Sequence, residues 1–362
     1  MTVVFFILII VALILVHELG HFLVAKLFRI WVQEFGVFFP PRIFALRKGE
    51  TEYSFNLLPL GGFVRIFGEN ASEGGGNPRS MASKSRPVQA SVVVAGVLCN
   101  VLFAWVLFSV GYSFGLPALA STETFGEVKD VTPMIVGVRP NSPAERVGLK
   151  PEDVIISLET GKKEVLPEGA TALQVREFIG AHQDQSLLIT VTRDGEEKIF
   201  LASAEEGFIE GRKALGVDID DVGVLQLPVH LAVLQGVVAT KDMTISSALS
   251  LAGFFSRLVR GAADFSSVAG PIGIVSFGAL AVGQGFAPTI VLTALISINL
   301  AIINLIPIPG LDGGRLFIIA IESIFRRPVP EYVTTRLTIF GLGLLVLLML
   351  VVSYHDIARL VS

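Results

Sequence analysis

Apolar residues in this chain gather into four long runs, at residues 3–27, 88–114, 288–308 and 337–354, instead of short alternating blocks. Wound as a helix at about 1.5 Å per residue, each run is long enough to cross roughly 30 Å of hydrocarbon. Between the runs the pattern changes. Residues 28–87 mix basic side chains with alternating stretches at 53–57 and 63–67; Pro59, Gly61 and Gly62 lie between these and predict a hairpin turning at 59–62. Residues 122–207 carry period-two runs at 134–138, 154–158 and 187–193, with Asp194-Gly195 as a turn signal. There Ser142 is placed to cap a short helix with Pro143 at its first position and Gly148 at its end. Within residues 228–287, the stretch 231–259 follows an amphipathic helical period interrupted by Lys241, Asp242, Arg257 and Arg260, which predicts an interfacial or packed helix pair, and Gly270-Pro-Ile-Gly is expected to break any helix. Residues 72–77, rich in glycine, read as a flexible loop. The expected fold is a polytopic α-helical membrane protein with four transmembrane helices, an inserted α+β module and a cytoplasmic, membrane-associated β-hairpin.

Composition agrees with a bilayer protein: 52% of residues are hydrophobic and only 17% charged, which excludes a largely disordered chain and departs from ordinary water-soluble usage. With 28 Lys and Arg against 32 Asp and Glu, the net charge of −4 argues against a nucleic-acid partner. The single cysteine, Cys99, cannot form an internal disulfide. Charge placement sets the orientation. Lys26, Arg29, Arg42, Arg47, Lys48, Arg65, Arg79, Lys84 and Arg86 cluster around and between the first two runs, and Arg315, Arg326, Arg327 and Arg336 lie between the last two. The positive-inside rule puts both connections in the cytoplasm and the N-terminus and residues 115–287 outside. Met1-Thr2 provides no basic leader and no Ala-x-Ala site closes the first run, so that run reads as a retained helix.

The chemistry begins inside the first run, at His17-Glu18-Leu19-Gly20-His21. Histidines four apart fall about 40° from each other around a helix and can share one metal ion, with Glu18 beside them as a general base. Two imidazoles and a carboxylate in a lipid-spanning helix are costly unless paired or liganded. Hydrolytic zinc takes a third protein ligand and leaves a position open. His182, His230 and His355 fall in other regions, which leaves Asp312, at the end of the third run, as the candidate. Pro307 and Pro309 free backbone carbonyls there, which implies a wet cavity. Asp312 could instead cap the helix that follows it. Asn304 could bind substrate or a developing oxyanion, or simply join helices. An inactive metal-binding scaffold would not need Glu18, and a transporter would be expected to show paired repeats of broken helices, which the sequence lacks.

Residues 138–155, with Asn141-Ser142-Pro143-Ala144 and Gly148-Leu149-Lys150-Pro151, resemble a PDZ domain of the bacterial protease-associated kind. A PDZ groove would take an extended peptide, with Pro133, Met134 and Ile135 as the loop for a terminal carboxylate, or would act only as a filter over the membrane. The HExxH near the start, the run Asn304-x-x-Pro307-x-Pro309-x-Leu311-Asp312-Gly313-Gly314, the PDZ-like insertion, the stretch 51–65, Gly96-x-x-x-Asn100 and Gly270-Pro-Ile-Gly together resemble the site-2 protease family, in its bacterial RseP-type branch of intramembrane zinc metalloproteases. Nearly the whole chain is covered. The resemblance implies that His17, His21 and Asp312 bind zinc, that Glu18 activates water, that Asn304 assists substrate binding, and that the hairpin bearing Tyr53, Phe55 and Phe63 engages substrate as an added strand. That hairpin could alternatively only anchor the loop in lipid. Implied substrates are transmembrane proteins already trimmed by another protease, such as anti-sigma factors or remnant signal peptides, cut in the bacterial inner membrane. The best-known member carries two tandem PDZ domains, and the length here admits one.

Overall fold

The computed structural model describes every residue except 70–75, 162–163, 167–168, 194, 210–211, 262–269 and 362. Most of the expected loop at 72–77, and Asp194 of the expected turn, therefore lie outside the described residues. The elements run α1 (Thr2–Leu27), β1 (Val32–Lys48), β2 (Thr51–Ile66), α2 (Arg86–Phe114), β3 (Leu116–Leu119), β4 (Lys129–Val138), α3 (Pro143–Val147), β5 (Val154–Thr160) and α4 (Ala172–Ala181). They continue as β6 (Ser186–Arg193), β7 (Glu196–Ser203), β8 (Glu205–Ile209), β9 (Arg212–Ala214), β10 (Val217–Leu225), α5 (Val229–Val259), α6 (Pro271–Gln284), α7 (Phe286–Leu305), α8 (Asp312–Phe325) and α9 (Glu331–Val361). Two compact units result, Met1–Gly111 with Val233–Ser362, and Tyr112–Ala232.

In the first unit, α1, α2, α7 and α9 are long and apolar enough to cross a membrane. Their exposed Leu8, Leu23, Leu98, Leu102, Phe340 and Leu347 are the surface a bilayer would cover. The helices pack where small residues permit: a Cβ on Gly20 of α1 would stand 2.3 Å from the backbone oxygen of Ala95 on α2.

The sheet between α1 and α2 differs from the expected hairpin. The tight reversal is at Gly49-Glu50, where Gly49 has φ 65° and Lys48 faces Thr51. Residues 32–37 of β1 lie between two stretches of β2, Phe35 facing Val64 on one side and Tyr53 on the other, and 42–48 covers the far edge of 51–56. Residues 53–57 and 63–67 therefore flank a third segment and do not pair with each other. A left-handed glycine makes the two-residue reversal, whereas 59–62 carries β2 from one side of β1 to the other.

Two further expectations need correction. The amphipathic stretch is one helix of 31 residues, α5, in place of a pair; Lys241 and Asp242 are exposed and lie 3.3 Å apart, so the charges sit on an open face without interrupting the coil. Gly270-Pro-Ile-Gly starts a helix and does not end one: Gly270 is the N-cap of α6 and Pro271 its first residue, where a missing N–H costs nothing. The donors of that first turn are met from α9, as the buried Asp356 accepts from Gly270 N at 3.1 Å and Gly273 N at 2.9 Å.

The second unit is built on a six-stranded antiparallel sheet, order β3-β10-β4-β5-β6-β7, with β8 and β9 as a separate pair. Its core holds Ile135, Leu158, Leu187, Ile189 and Val191. Ser142 accepts from Glu145 N, Pro143 opens α3 and Gly148 closes it in the left-handed region; a capping box of Thr171 and Gln174 starts α4. Pro133, Met134 and Ile135 are not a loop. They lie within β4, where Met134 faces Asp220 of β10 and Val154 of β5, because alternating burial draws Ile135 into the core.

Candidate metal centre

α1 is apolar almost all round, so its one polar turn must find partners inside the protein. His17 and His21 share the face turned to α2, and α2 can come close because position 96 has no side chain. A Cβ on Gly96 would lie 2.4 Å from His21 Nε2 and 2.8 Å from His17 Cε1. His21 is oriented by its Nδ1–H, which donates to the backbone oxygen of Val92 at 2.8 Å.

Asp312 reaches the same point from the break between α7 and α8. α7 ends at Leu305, Pro307 and Pro309 prevent its continuation, and α8 starts at Asp312. Glycines then let the first turn of α8 lie on the exposed carbonyls of that break: a Cβ on Gly313 would meet Ile306 O at 2.2 Å and Leu305 O at 2.3 Å. The alternative role of Asp312 as a cap fails on geometry. Leu311 is the N-cap, and no side-chain cap hydrogen bond is made among the described residues.

The carboxylate turns instead to the imidazoles. Asp312 Oδ2 lies 3.0 Å from His17 Nε2 and 3.4 Å from His21 Nε2, and the two Nε2 atoms are 3.2 Å apart. Asp312 Oδ2 is buried with no hydrogen-bond donor among the described residues other than the two imidazoles, and a neutral His21 that gives its Nδ1–H to Val92 has Nε2 left as an acceptor. Among the described residues this is the one His, Cys, Asp and Glu group whose ligand atoms converge, all within 4.8 Å. A cation replaces the ring proton that would otherwise bridge these atoms with one charge that all three can share, and two nitrogens with one carboxylate oxygen suit zinc with a position left open. Glu18 faces the same cavity, which Val64 of β2 also lines. The cavity has a volume of about 500 Å³ and is walled by Phe63 and Val64, by the 309–312 turn and by Thr334, Thr335 and Thr338 of α9.

The profile of peptidase family M50 matches residues 5–348. The chain belongs to peptidase family M50, the site-2 proteases. It is a zinc metalloprotease, a hydrolase of peptide bonds, and a multi-pass membrane protein. A protein of Clostridium perfringens named as a zinc metalloprotease is 31% identical over 359 residues, 99% of this chain and 98% of that one. One from Nostoc, similarly named, is 33% identical over 340 residues, covering 92% and 89%. Zinc metalloprotease RasP of Geobacillus kaustophilus is 28% identical over 441 aligned positions, covering 99% and 98%.

The other expected site residues of this M50 protease are distributed differently. Phe63 lines the cavity, but Tyr53 and Phe55 do not. The Tyr53 ring packs beside Phe22 and Phe35, and Phe55 beside Phe38 and Phe44. Asn304 is half-buried on α7 outside the lining. Pro133, Met134 and Ile135 belong to the second unit. Two features at the site have no role assigned by the sequence motifs: Asn100, whose carboxamide lies 3.3 Å from His17 Nδ1, and the threonines of α9. Hydroxyls at positions 334, 335 and 338, spaced as one helical face at the start of an apolar run, were a legible signal of a polar wall.

Proposed function

We propose that this protein hydrolyses peptide bonds within transmembrane segments of membrane proteins, with His17, His21 and Asp312 as the zinc ligands and Glu18 as the group that moves protons. The observation that carries the reading is the convergence of three lone-pair atoms, from α1 and from the start of α8, beside a carboxylate and a cavity of about 500 Å³. Zinc held there supplies Lewis acidity at the scissile carbonyl and acidifies a water toward a pKa of about 7. Glu18 takes the proton of the attacking water as its oxygen bonds to the carbonyl carbon. It then delivers that proton to the amine as the C–N bond breaks. The threonine hydroxyls keep the cavity wetted from one side.

A transmembrane helix hides its peptide bonds in its own hydrogen bonds, so it must be extended before it can be cut. Residues 62–66 of β2 pair with β1 along one edge only among the described residues, and Phe63, Val64 and Ile66 line the cavity. An unwound substrate adding a strand to the free edge would pass Glu18. Lipid anchoring is the task of the outer half of the sheet, where Ile43, Phe44, Leu46 and Leu57 are exposed.

The second unit serves, in this reading, as a single PDZ domain on the outer face of the bacterial inner membrane, admitting substrates whose ectodomains another protease has trimmed. Strand addition needs an open edge, and β4 is paired on both sides at Met134. β3 pairs with β10 only from Val222 onward, which leaves Val217–Asp220 as the candidate peptide edge, near α4 through Ala172 N and Asp221 Oδ1 at 2.7 Å. Anti-sigma factors and remnant signal peptides are the proposed substrate classes.

The test is a liposome assay with a single-span substrate and mass analysis of the products. Cuts inside the span that vanish in Glu18→Gln support the reading. Cuts confined to the soluble flanks, or cleavage that persists in Glu18→Gln, overturn it.

A further inference from the structure

A histidine that ligates through Nε2 must carry its proton on Nδ1, and the group that meets Nδ1 selects that tautomer. For His21 the group is a backbone carbonyl, Val92 O at 2.8 Å, which can only accept. Among the described residues no carbonyl serves His17 Nδ1. That nitrogen faces Asn100 at 3.3 Å, with the carboxamide Nδ2 toward the ring, and Asn100 is completely buried, with Oδ1 finding no hydrogen-bond partner among the described residues. A carboxamide offers a donor end and an acceptor end of nearly the same shape, so either can face the ring. With the NH2 toward Nδ1, the ring accepts there and its Nε2 proton points at Asp312 Oδ2, 3.0 Å away. That closes a hydrogen bond and leaves no lone pair for a ligand role. With Oδ1 toward the ring, Nδ1 keeps the proton, the Nε2 lone pair turns to Asp312 and His21, and the orphaned acceptor is satisfied.

We propose that Asn100 is a positioning residue for the metal centre, its carboxamide oxygen accepting from Nδ1–H of His17 and so holding His17 in the ligating tautomer. The inference rests on the reading of His17 as a zinc ligand. The surroundings fix Asn100 for this task. Ser297 of α7, fully buried, donates its hydroxyl to the backbone oxygen of Asn100 at 2.8 Å, and Gly96, one turn earlier on α2, holds that helix against both imidazoles. Through its backbone oxygen and its side chain, Asn100 thereby ties α7 and α2 to the ligand that α1 supplies. His17 and His21 are served by unlike partners: a backbone carbonyl is fixed, whereas a carboxamide can turn over when the metal leaves.

The experiment measures zinc affinity of the full-length protein in detergent by competition with a chelator, for wild type, Asn100→Leu and Asn100→Asp. Leucine keeps the bulk without the acceptor and is expected to weaken zinc by about 10- to 100-fold, the range typical of lost outer-shell partners. Aspartate keeps the shape and can only accept, so it is expected to hold zinc within a few-fold of wild type or more tightly. A 15N spectrum of the zinc-loaded wild type is expected to show His17 protonated at Nδ1. The proposal is overturned if Asn100→Leu binds zinc within twofold of wild type, if Asn100→Asp is as weak as Asn100→Leu, or if His17 Nδ1 carries no proton. Should Asn100→Leu fail to fold, Asn100→Asp and the 15N spectrum decide alone. Wild type that binds no zinc removes the functional reading and this inference together; zinc-binding wild type with an indifferent Asn100 removes only the inference.

Discussion

Replacing Gly96 with alanine adds a single methyl group, and the structure specifies what it meets. The new Cβ would stand 2.4 Å from His21 Nε2 and 2.6 Å from its Cε1, about 1 Å inside the 3.4 Å at which ordinary contact begins. The imidazoles must move by about that amount, or α2 must retreat. Overpacking of this kind costs about 1–3 kcal/mol, while glycine to alanine within a helix returns roughly 0.8–1 kcal/mol of propensity. The net loss of stability is therefore about 0–2 kcal/mol, and the protein stays folded. Catalysis is expected to suffer more, because a displacement of about 1 Å in a catalytic constellation costs on the order of 100-fold, or about 2.7 kcal/mol of barrier. Thermal unfolding in detergent, zinc content and kcat/KM on a single-span substrate, measured on one preparation, separate the two effects. Gly20→Ala is the contrast: its Cβ meets the Ala95 backbone oxygen at 2.3 Å, which no side-chain rotation relieves, so it should lose stability first. Gly96→Ala with full zinc and kcat/KM within threefold of wild type would refute the close approach of α2 to the ligands.

Glu18→Gln should bind one zinc per chain and lose activity by about 100- to 10,000-fold, the contribution usual for a general acid–base group; metal analysis and turnover on the same sample check both halves. Asp312→Ala should lose zinc while α8 persists, since Asp312 provides no cap to that helix; unchanged zinc affinity in equilibrium dialysis would remove it from the ligand set. Asp356→Ala leaves the amides of Gly270 and Gly273 without their acceptor and should destabilise the protein by about 1–3 kcal/mol, read as a lowered unfolding midpoint with zinc affinity preserved.

Helical spacing and apolar run length are local properties, and what depended on them was legible. The four spans lie where the runs lie, within a few residues at each end, and His17 and His21 share a face because the intervals of an α-helix require it. Pairing across distance was not legible. Pro59, Gly61 and Gly62 offer a stronger turn string than Gly49-Glu50, yet the tight reversal falls at Gly49, because β1 is inserted between two parts of β2 and only the folded register shows it. Lys241 and Asp242 look like an interruption in a linear string, whereas in space they lie on the open face of α5. Asn304 and Asn100 could not be ranked by residue type. The fold brings Asn100 to His17 because Gly96 lets α2 approach, and it leaves Asn304 away from the cavity lining.

In the proposed site one cation is held by two histidines of α1 and an aspartate that opens α8. X-ray absorption at the zinc edge of the loaded, full-length protein tests it most directly. The account predicts two imidazole nitrogens and one carboxylate oxygen at about 2.0–2.2 Å, with the imidazole signature lost in a His17→Ala and His21→Ala double variant and an oxygen lost in Asp312→Ala. A first shell that is unaltered by these substitutions, or that contains sulfur, would contradict it.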